Sequence, residues 1–380
     1  MRIGLFTDAY YPIISGVSIS LGILTNELTK LGHEVYIITN NHDEAVDEDK
    51  VLRLGGYKLP MKGMNEYRIG KVTRQKVKEI GKLNLDVVHC HTEFTMGRLG
   101  RRAAKKYGIP VVHTYHTMYE DYVHFISKTF TRPLRFISKC YSKSFANSAD
   151  EVIFPTIKVK RTFDKYGYTK HSHIIPTGIY LEKFRKINFK NEEIKELKKE
   201  VGLNENDFVM LFLGRLSREK AICDLIDNFA MVDEENVKLL FVGGGPDEDI
   251  FKKHCVELGV SDRVIFNGMV PQDEVAKYYQ IADLFVNFSV TETQGLTYYE
   301  ALASGLPLLV KYDDNLEGVV EDGYNGFSFT NDEDFVKLFN KIYSNPVLFS
   351  ELTTNSSKAI DKFSAETFAK SVEAVYKLLV

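Results

Sequence analysis

Short apolar runs that alternate with stretches of helical periodicity constrain this chain more than any other feature. Residues 2–7 (RIGLFT) and 35–39 (VYIIT) read as buried strands, and between them Leu21, Leu24 and Leu28 recur at helical spacing within residues 17–31. Strand, helix, strand in that order is a βαβ unit, which makes the strands parallel and opens a ligand crevice at their C-terminal ends. The alternation continues through 86–91 (DVVHCH), a helix over 97–107, 110–115 (PVVHTY), 150–155 (DEVIFP), a short helix over 158–166 and 173–176 (HIIP). Residues 182–206 are charged and lack strand character, so they read as a connection with a helix over 191–201. The pattern then restarts with strands at 208–213, 237–242, 264–267, 283–289 and 307–311, and it closes with an amphipathic helix over 364–380. Two α/β domains are expected, residues 1–178 together with the helix 364–380, and residues 179–363.

Bulk properties exclude several classes. A hydrophobic content of 44% and a charged content of 27% are those of a globular protein. The N-terminus enters a strand directly, no apolar run is long enough to span a bilayer, and the four cysteines lack metal-like spacing. These features point to reduced thiols and a cytoplasmic location. Charge is unevenly spread: residues 1–178 hold 27 lysines and arginines against 17 acids, net +10, and the remainder holds 22 against 35, net −13. A basic half suggests an anionic surface as partner, either nucleic acid or anionic lipid. Basic runs interleaved with aromatics are missing, which disfavours nucleic acid. The loop 8–16 lacks the G-x-G-x-x-G fingerprint, which disfavours a dehydrogenase. Gly16 in that loop is either an ordinary turn glycine or a place where backbone approaches a ligand.

Three stretches carry chemistry. Residues 289–307 (SVTETQGLTYYEALASGLP) hold Glu292 and Glu300 eight residues apart across the start of a helix near Gln294. Free N–H groups at such a terminus suit phosphate. Taken alone, the plainer reading of the two glutamates is an acid near the N-cap and a solvated helix residue. Residues 214–220 (GRLSREK) place Arg215 and Lys220 at a strand's C-terminal end, where fixed cations can neutralise a diphosphate leaving group; two surface cations are the plainer reading. Residues 113–125 (HTYHTMYEDYVHF) place His116 at another strand end, with His113 inside the strand. Within 131–146, Arg132, Arg135, Lys139 and Lys143 share a helical face, which is either a solvated stripe or a membrane-facing one.

These motifs together resemble glycosyltransferase family 4, retaining enzymes of the GT-B fold, and within it the diacylglycerol glucosyltransferases. The resemblance covers most of the chain. It implies an α/β GT-B architecture: two Rossmann-like domains facing a central cleft, the C-terminal helix crossing back to the first. It implies His116, Arg215, Lys220 and Glu292 in catalysis. Around the donor it places Gly16, Arg215, Lys220, Val270, Glu292, Thr293, Gln294, Gly295, Leu296 and Glu300, and on the acceptor side Glu120 and Asp121. Two positions depart from the family pattern: Ser15 stands where a first glycine is usual, and Tyr180 where an aspartate is usual. The implied reaction moves glucose from UDP-glucose to diacylglycerol with retention, the leaving phosphate helping to deprotonate the acceptor. No permanently bound cofactor and no strictly required metal are expected. The expected setting is the inner face of the cell membrane, peripherally bound, with Arg132, Arg135, Lys139 and Lys143 facing anionic lipid. Oligomeric state is left open. A family member acting on another glycolipid, a cell-wall polymer or a soluble sugar is the nearest alternative. A membrane-binding protein with a vestigial site is a second, disfavoured by intact Arg215, Lys220, Glu292 and Glu300.

Overall fold

Most apolar runs become buried parallel strands, because a strand covered by helices on both faces has no polar side to show; the run HIIP instead becomes an edge strand with Ile174 exposed. The computed structural model describes residues 1–58, 67–120 and 131–380. The expectation for Asp121 lies outside those residues. The chain divides into two units, Met1–Gly178 with Ala365–Val380, and Ile179–Ser364.

Among the described residues, the first unit holds β1 (Arg2–Phe6), β2 (Glu34–Thr39), β3 (Val51–Arg53), a small antiparallel ribbon of β4 (Tyr57–Lys58) and β5 (Arg68–Ile69), then β6 (Val87–Cys90), β7 (Val111–Thr114), β8 (Glu151–Phe154) and β9 (His173–Ile174). The parallel sheet runs β3-β2-β1-β6-β7-β8-β9. Its order reverses between β1 and β6, and ligands of open α/β sheets bind where the loops diverge at such a switch point. Here the two loops are tied together: Asp8 N donates to Thr92 Oγ1 (2.9 Å), and that hydroxyl donates to Asp8 Oδ2 (2.6 Å). The helix Gly16–Lys30 starts at Ser15, whose side chain forms a capping box with Ser18. The serine that replaces a glycine at this point therefore has a structural role of its own.

The helix Ala365–Lys377 packs on this first unit. It buries Phe368, Val372, Val375 and Tyr376, and Glu373 Oε1 lies 2.9 Å from His33 Nε2.

The second unit holds β10 (Phe208–Leu213), β11 (Val237–Val242), β12 (Val264–Gly268), β13 (Leu284–Asn287), β14 (Leu308–Lys311) and β15 (Gly326–Phe329). Its parallel sheet runs β12-β11-β10-β13-β14-β15, so its switch point lies between β10 and β13. The loops that follow these two strands carry GRLSREK and SVTETQG. The glycine triplet after β11 shapes the first of them. A Cβ on Gly243 would fall 2.0 Å from Gly214 O, and one on Gly245 would fall 2.0 Å from Leu216 O. The two turns pack backbone against backbone, so packing alone demands glycine at both positions.

The expected helix in the connection 182–206 forms at Asn191–Glu200, and its Ile194 and Leu197 pack against the second unit's core; the short helix Leu181–Phe184 was not expected. The helix after β13 starts at Leu296, because Gly295 takes a left-handed conformation (φ 77°, ψ 74°) that a regular helix excludes. Among the described residues, no helix is long and apolar enough to cross a membrane.

Candidate active site

In the second unit, residues far apart in sequence converge at the switch point. Lys220 ends a short 3-10 turn (Arg218–Lys220) after β10, and Glu292 lies in the loop after β13. Lys220 Nζ donates to Glu292 Oε1 at 2.6 Å, and both side chains are largely covered. The loops are braced alongside this pair: Thr291 Oγ1 donates to Glu219 O (3.1 Å), and Ser217 Oγ donates to Glu219 Oε1 (2.6 Å). Arg215 is exposed on the same loop as Lys220.

The rest of the glutamate motif divides in role. Gln294 is buried and anchors the loop: its carbonyl accepts from Asn315 Nδ2 (3.1 Å). Thr293, Gly295 and Leu296 remain half-exposed ahead of the helix Leu296–Ala303. Glu300 sits about one turn into that helix. It is neither solvated nor on a surface. Only 5% of it is exposed, and its Oε2 accepts from Tyr279 (2.7 Å). Burial raises its carboxyl above the usual range, opposed by the Tyr279 hydrogen bond and the Lys183 charge. Val270, after β12, is half-buried against the core of the unit. In the first unit, a Cβ on Gly16 would meet nothing within 4 Å, so packing does not demand glycine there and the space is open.

The first unit gathers histidines at the C-terminal ends of β6 and β7. His91 Nδ1 and His116 Nε2 lie 2.9 Å apart, so one ring donates to the other. His89 contacts Tyr376 Oη through Nδ1 (2.6 Å) and Thr114 Oγ1 through Nε2 (2.7 Å). His113 is buried in β7, with Nδ1 2.9 Å from Cys90 O and Nε2 3.2 Å from Glu93 Oε1. Tyr119 donates to Glu93 Oε2, and Tyr141 to its carbonyl. Among the described residues, His91 Nε2 is buried without a hydrogen-bond partner. Burial lowers His116 to about 3, the charge of His113 adding to the effect, and burial also holds His89 and His91 far below the usual imidazole range. His116 is therefore a neutral hydrogen-bonding group at neutral pH. Glu120 is half-buried nearby; burial raises the Tyr115 hydroxyl, with Glu93 and then Glu120 adding to it. The sequence reading passed over His89, His91 and Glu93. The spacing of His89 and His91, two residues apart at a strand's C-terminal end, was the available signal.

Neutral buried imidazoles make the fold acid-sensitive. The unfolded chain takes up protons near pH 6.5 and the folded one does not, so stability is present above that pH and is lost as pH falls below it. Each such group accounts for roughly 1.4 kcal/mol between pH 7.5 and 5.5. Asp8, Asp283 and Glu300, raised by burial, work in the opposite sense. The informative comparison is therefore between wild type and His116→Gln. Urea unfolding should show the variant losing less stability than wild type over that pH interval; parallel profiles would contradict a neutral His116.

The helix Thr131–Asn147 corrects the basic-stripe reading. Arg132 and Arg135 are exposed beside Phe136 (66% exposed) and Ile137 (59%). Lys139 instead turns to Lys165 O (3.5 Å) and the Tyr166 ring, and half-buried Lys143 reaches Gly167. The helix docks through Ser142, Phe145 and Ala146, which carries the two lysines onto the turn at 165–167.

Comparison with known proteins gives a consistent picture. A family model described as "Glycosyltransferase Family 4" matches residues 14–183, and one described as "Glycosyl transferases group 1" matches residues 193–363. The chain is 39% identical to an alpha-monoglucosyldiacylglycerol synthase of Acholeplasma laidlawii, over 100% of this chain and 98% of that one. It is 37% identical to the Streptococcus pneumoniae protein of the same name, over 99% and 85%. Among solved structures, Anabaena Alr3699/HepE in complex with UDP superposes with a TM-score of 0.80 at 18% identity, covering 100% of both chains.

Proposed function

The chain belongs to glycosyltransferase family 4 and has the GT-B fold, and from that premise we propose that it moves glucose from UDP-glucose to the hydroxyl of diacylglycerol, with retention, at an anionic membrane surface. The observation that carries the transfer is the Lys220–Glu292 pair at the second sheet's switch point, with exposed Arg215 on the same loop. The two full-length relatives named as synthases of this lipid support the acceptor, and the UDP-bound fold neighbour supports the nucleotide.

In this reading the bond between the anomeric carbon and the β-phosphate oxygen breaks, and its electron pair leaves with UDP. Arg215 meets the diphosphate through its planar fork and Lys220 meets it as a point charge, so the leaving charge is neutralised by fixed cations. The N–H groups of Gly295 and Leu296, at the helix start, add donors. Glu292 holds Lys220 in place before donor arrives and then faces the sugar. His116, as a neutral imidazole, takes a sugar hydroxyl. Glu120 belongs to the acceptor side, and Glu300, under the helix, orders the donor loop through Tyr279. The acceptor oxygen bonds to the anomeric carbon from the face the phosphate leaves, and its proton passes to a phosphate oxygen. The products are UDP and an α-glucosyl lipid.

The membrane contact is assigned to the exposed start of the helix Thr131–Asn147, where Arg132 and Arg135 flank Phe136 and Ile137. A basic residue near an anionic surface contributes about 1 kcal/mol. Replacing Arg132 and Arg135 with Gln should therefore weaken sedimentation with anionic vesicles by roughly thirtyfold. Replacing Lys139 and Lys143 should do much less, and equal losses from the two pairs would contradict the placement. The function itself is tested with radiolabelled UDP-glucose and diacylglycerol in mixed micelles. Label in the lipid phase is expected; label reaching only soluble or polymeric acceptors would overturn the assignment.

A further inference from the structure

At the far edge of the first sheet, three potential metal ligands from neighbouring strands face one another. His173 opens the edge strand β9, His171 lies two residues ahead of it, and both side chains turn to Glu151. Ile153 pairs with His173 in the parallel register, which brings Glu151, two residues earlier in β8, level with His171. Glu151 Oε2 lies 2.9 Å from His173 Nε2 and 3.4 Å from His171 Nδ1, and all three ligand atoms lie within 4.8 Å of one another. A tetrahedral zinc ion with bonds near 2.1 Å sets its ligands about 3.4 Å apart. Two of the three separations thus already approximate the required spacing.

From this geometry we propose that Glu151, His171 and His173 form a site for a divalent transition-metal ion of the zinc class. Two imidazoles and a carboxylate are a donor set that suits zinc and its neighbours better than magnesium or calcium. The site is half prepared: buried Tyr168 donates to His171 O at 3.2 Å, which fixes the backbone that carries this ligand. The His171 side chain is 73% exposed, so it can close the remaining gap, and the site's open side admits water as the fourth ligand. Bound metal would tie the two-residue edge strand to β8. The ligands lie on β8, on β9 and just ahead of β9, away from the strand ends that carry His91 and His116, and the proposal assigns the ion no part in sugar transfer.

The experiment uses the full chain without an affinity tag. Zn²⁺ is titrated against a chromogenic chelator at pH 7.5, and the temperature of unfolding is followed with and without the ion. Wild type is expected to bind one Zn²⁺ per chain and to unfold at a higher temperature when loaded. His171→Ala, at an exposed position that does not put folding at risk, should weaken binding roughly tenfold or more and abolish the thermal shift. His42→Ala, at a half-buried histidine elsewhere in the unit, should change neither. Wild type that takes up no Zn²⁺, or a His171→Ala variant that binds and shifts as wild type does, would overturn the proposal, because a bare Glu–His ion pair would then account for the cluster.

Discussion

Lys220→Ala should lower turnover by roughly a hundred- to a thousandfold while the fold survives, the range seen when one preorganised charge-stabilising group is removed. The second unit's core lies in its sheet and covering helices, whereas Lys220 sits in a loop with its ammonium on Glu292. Alanine removes a cation from the site of leaving-group charge and takes no apolar contact from the core. Glu292 loses the Lys220 ammonium but stays partly exposed, so water can replace it. The measurement is kcat with labelled UDP-glucose, alongside circular dichroism and thermal unfolding. A variant that turns over within a few fold of wild type, or one that fails to fold, would contradict the role given to Lys220.

Gly295→Ala should be as damaging by another route. Gly295 holds φ 77°, where a side chain costs on the order of 1–2 kcal/mol. A Cβ there would also lie 2.5 Å from Tyr298 Cε2 and 2.6 Å from Cδ2. That ring is fully buried and stacks edge-on against Phe285 at 5.8 Å, so it cannot yield. The peptide must tilt instead, carrying Glu292 to Leu296 with it. A displacement of about 1 Å at such a site can cost a hundredfold in rate. Gly305→Ala is the internal control: it shares the positive φ (82°), but its Cβ would meet only Ser357 Oγ, at 3.2 Å, among close neighbours. It should lose stability and keep activity. Equal activity losses in the two variants would remove the link between the left-handed cap and the site.

Much of the scaffold is legible in the sequence because buried parallel strands leave uninterrupted apolar runs. FVMLFL and VKLLFV can hardly be read otherwise, and they become β10 and β11. The two loops of the second unit's site are also legible as motifs, each at the end of such a run. Their contact is not, since 72 residues separate Lys220 from Glu292 and only strand order places β10 beside β13. Helical periodicity names the faces of a helix without saying which face docks. That is why the lysines of Thr131–Asn147 read as one stripe with the arginines, and why periodicity alone left a solvated position open for Glu300. The histidine cluster stayed hidden for a related reason. A histidine inside an apolar run looks like a core residue until the neighbouring strand supplies its partner, as β7's following loop does for His91 through His116.

The most direct measurement is the configuration of the glucosidic bond in the lipid formed from UDP-glucose and diacylglycerol, read by proton NMR early in the reaction. An α-linked monoglucosyl lipid, absent when Lys220→Ala replaces the wild type, is the expected result. A β-linked product, or free glucose with no lipid product at all, would contradict retaining transfer to diacylglycerol by this site.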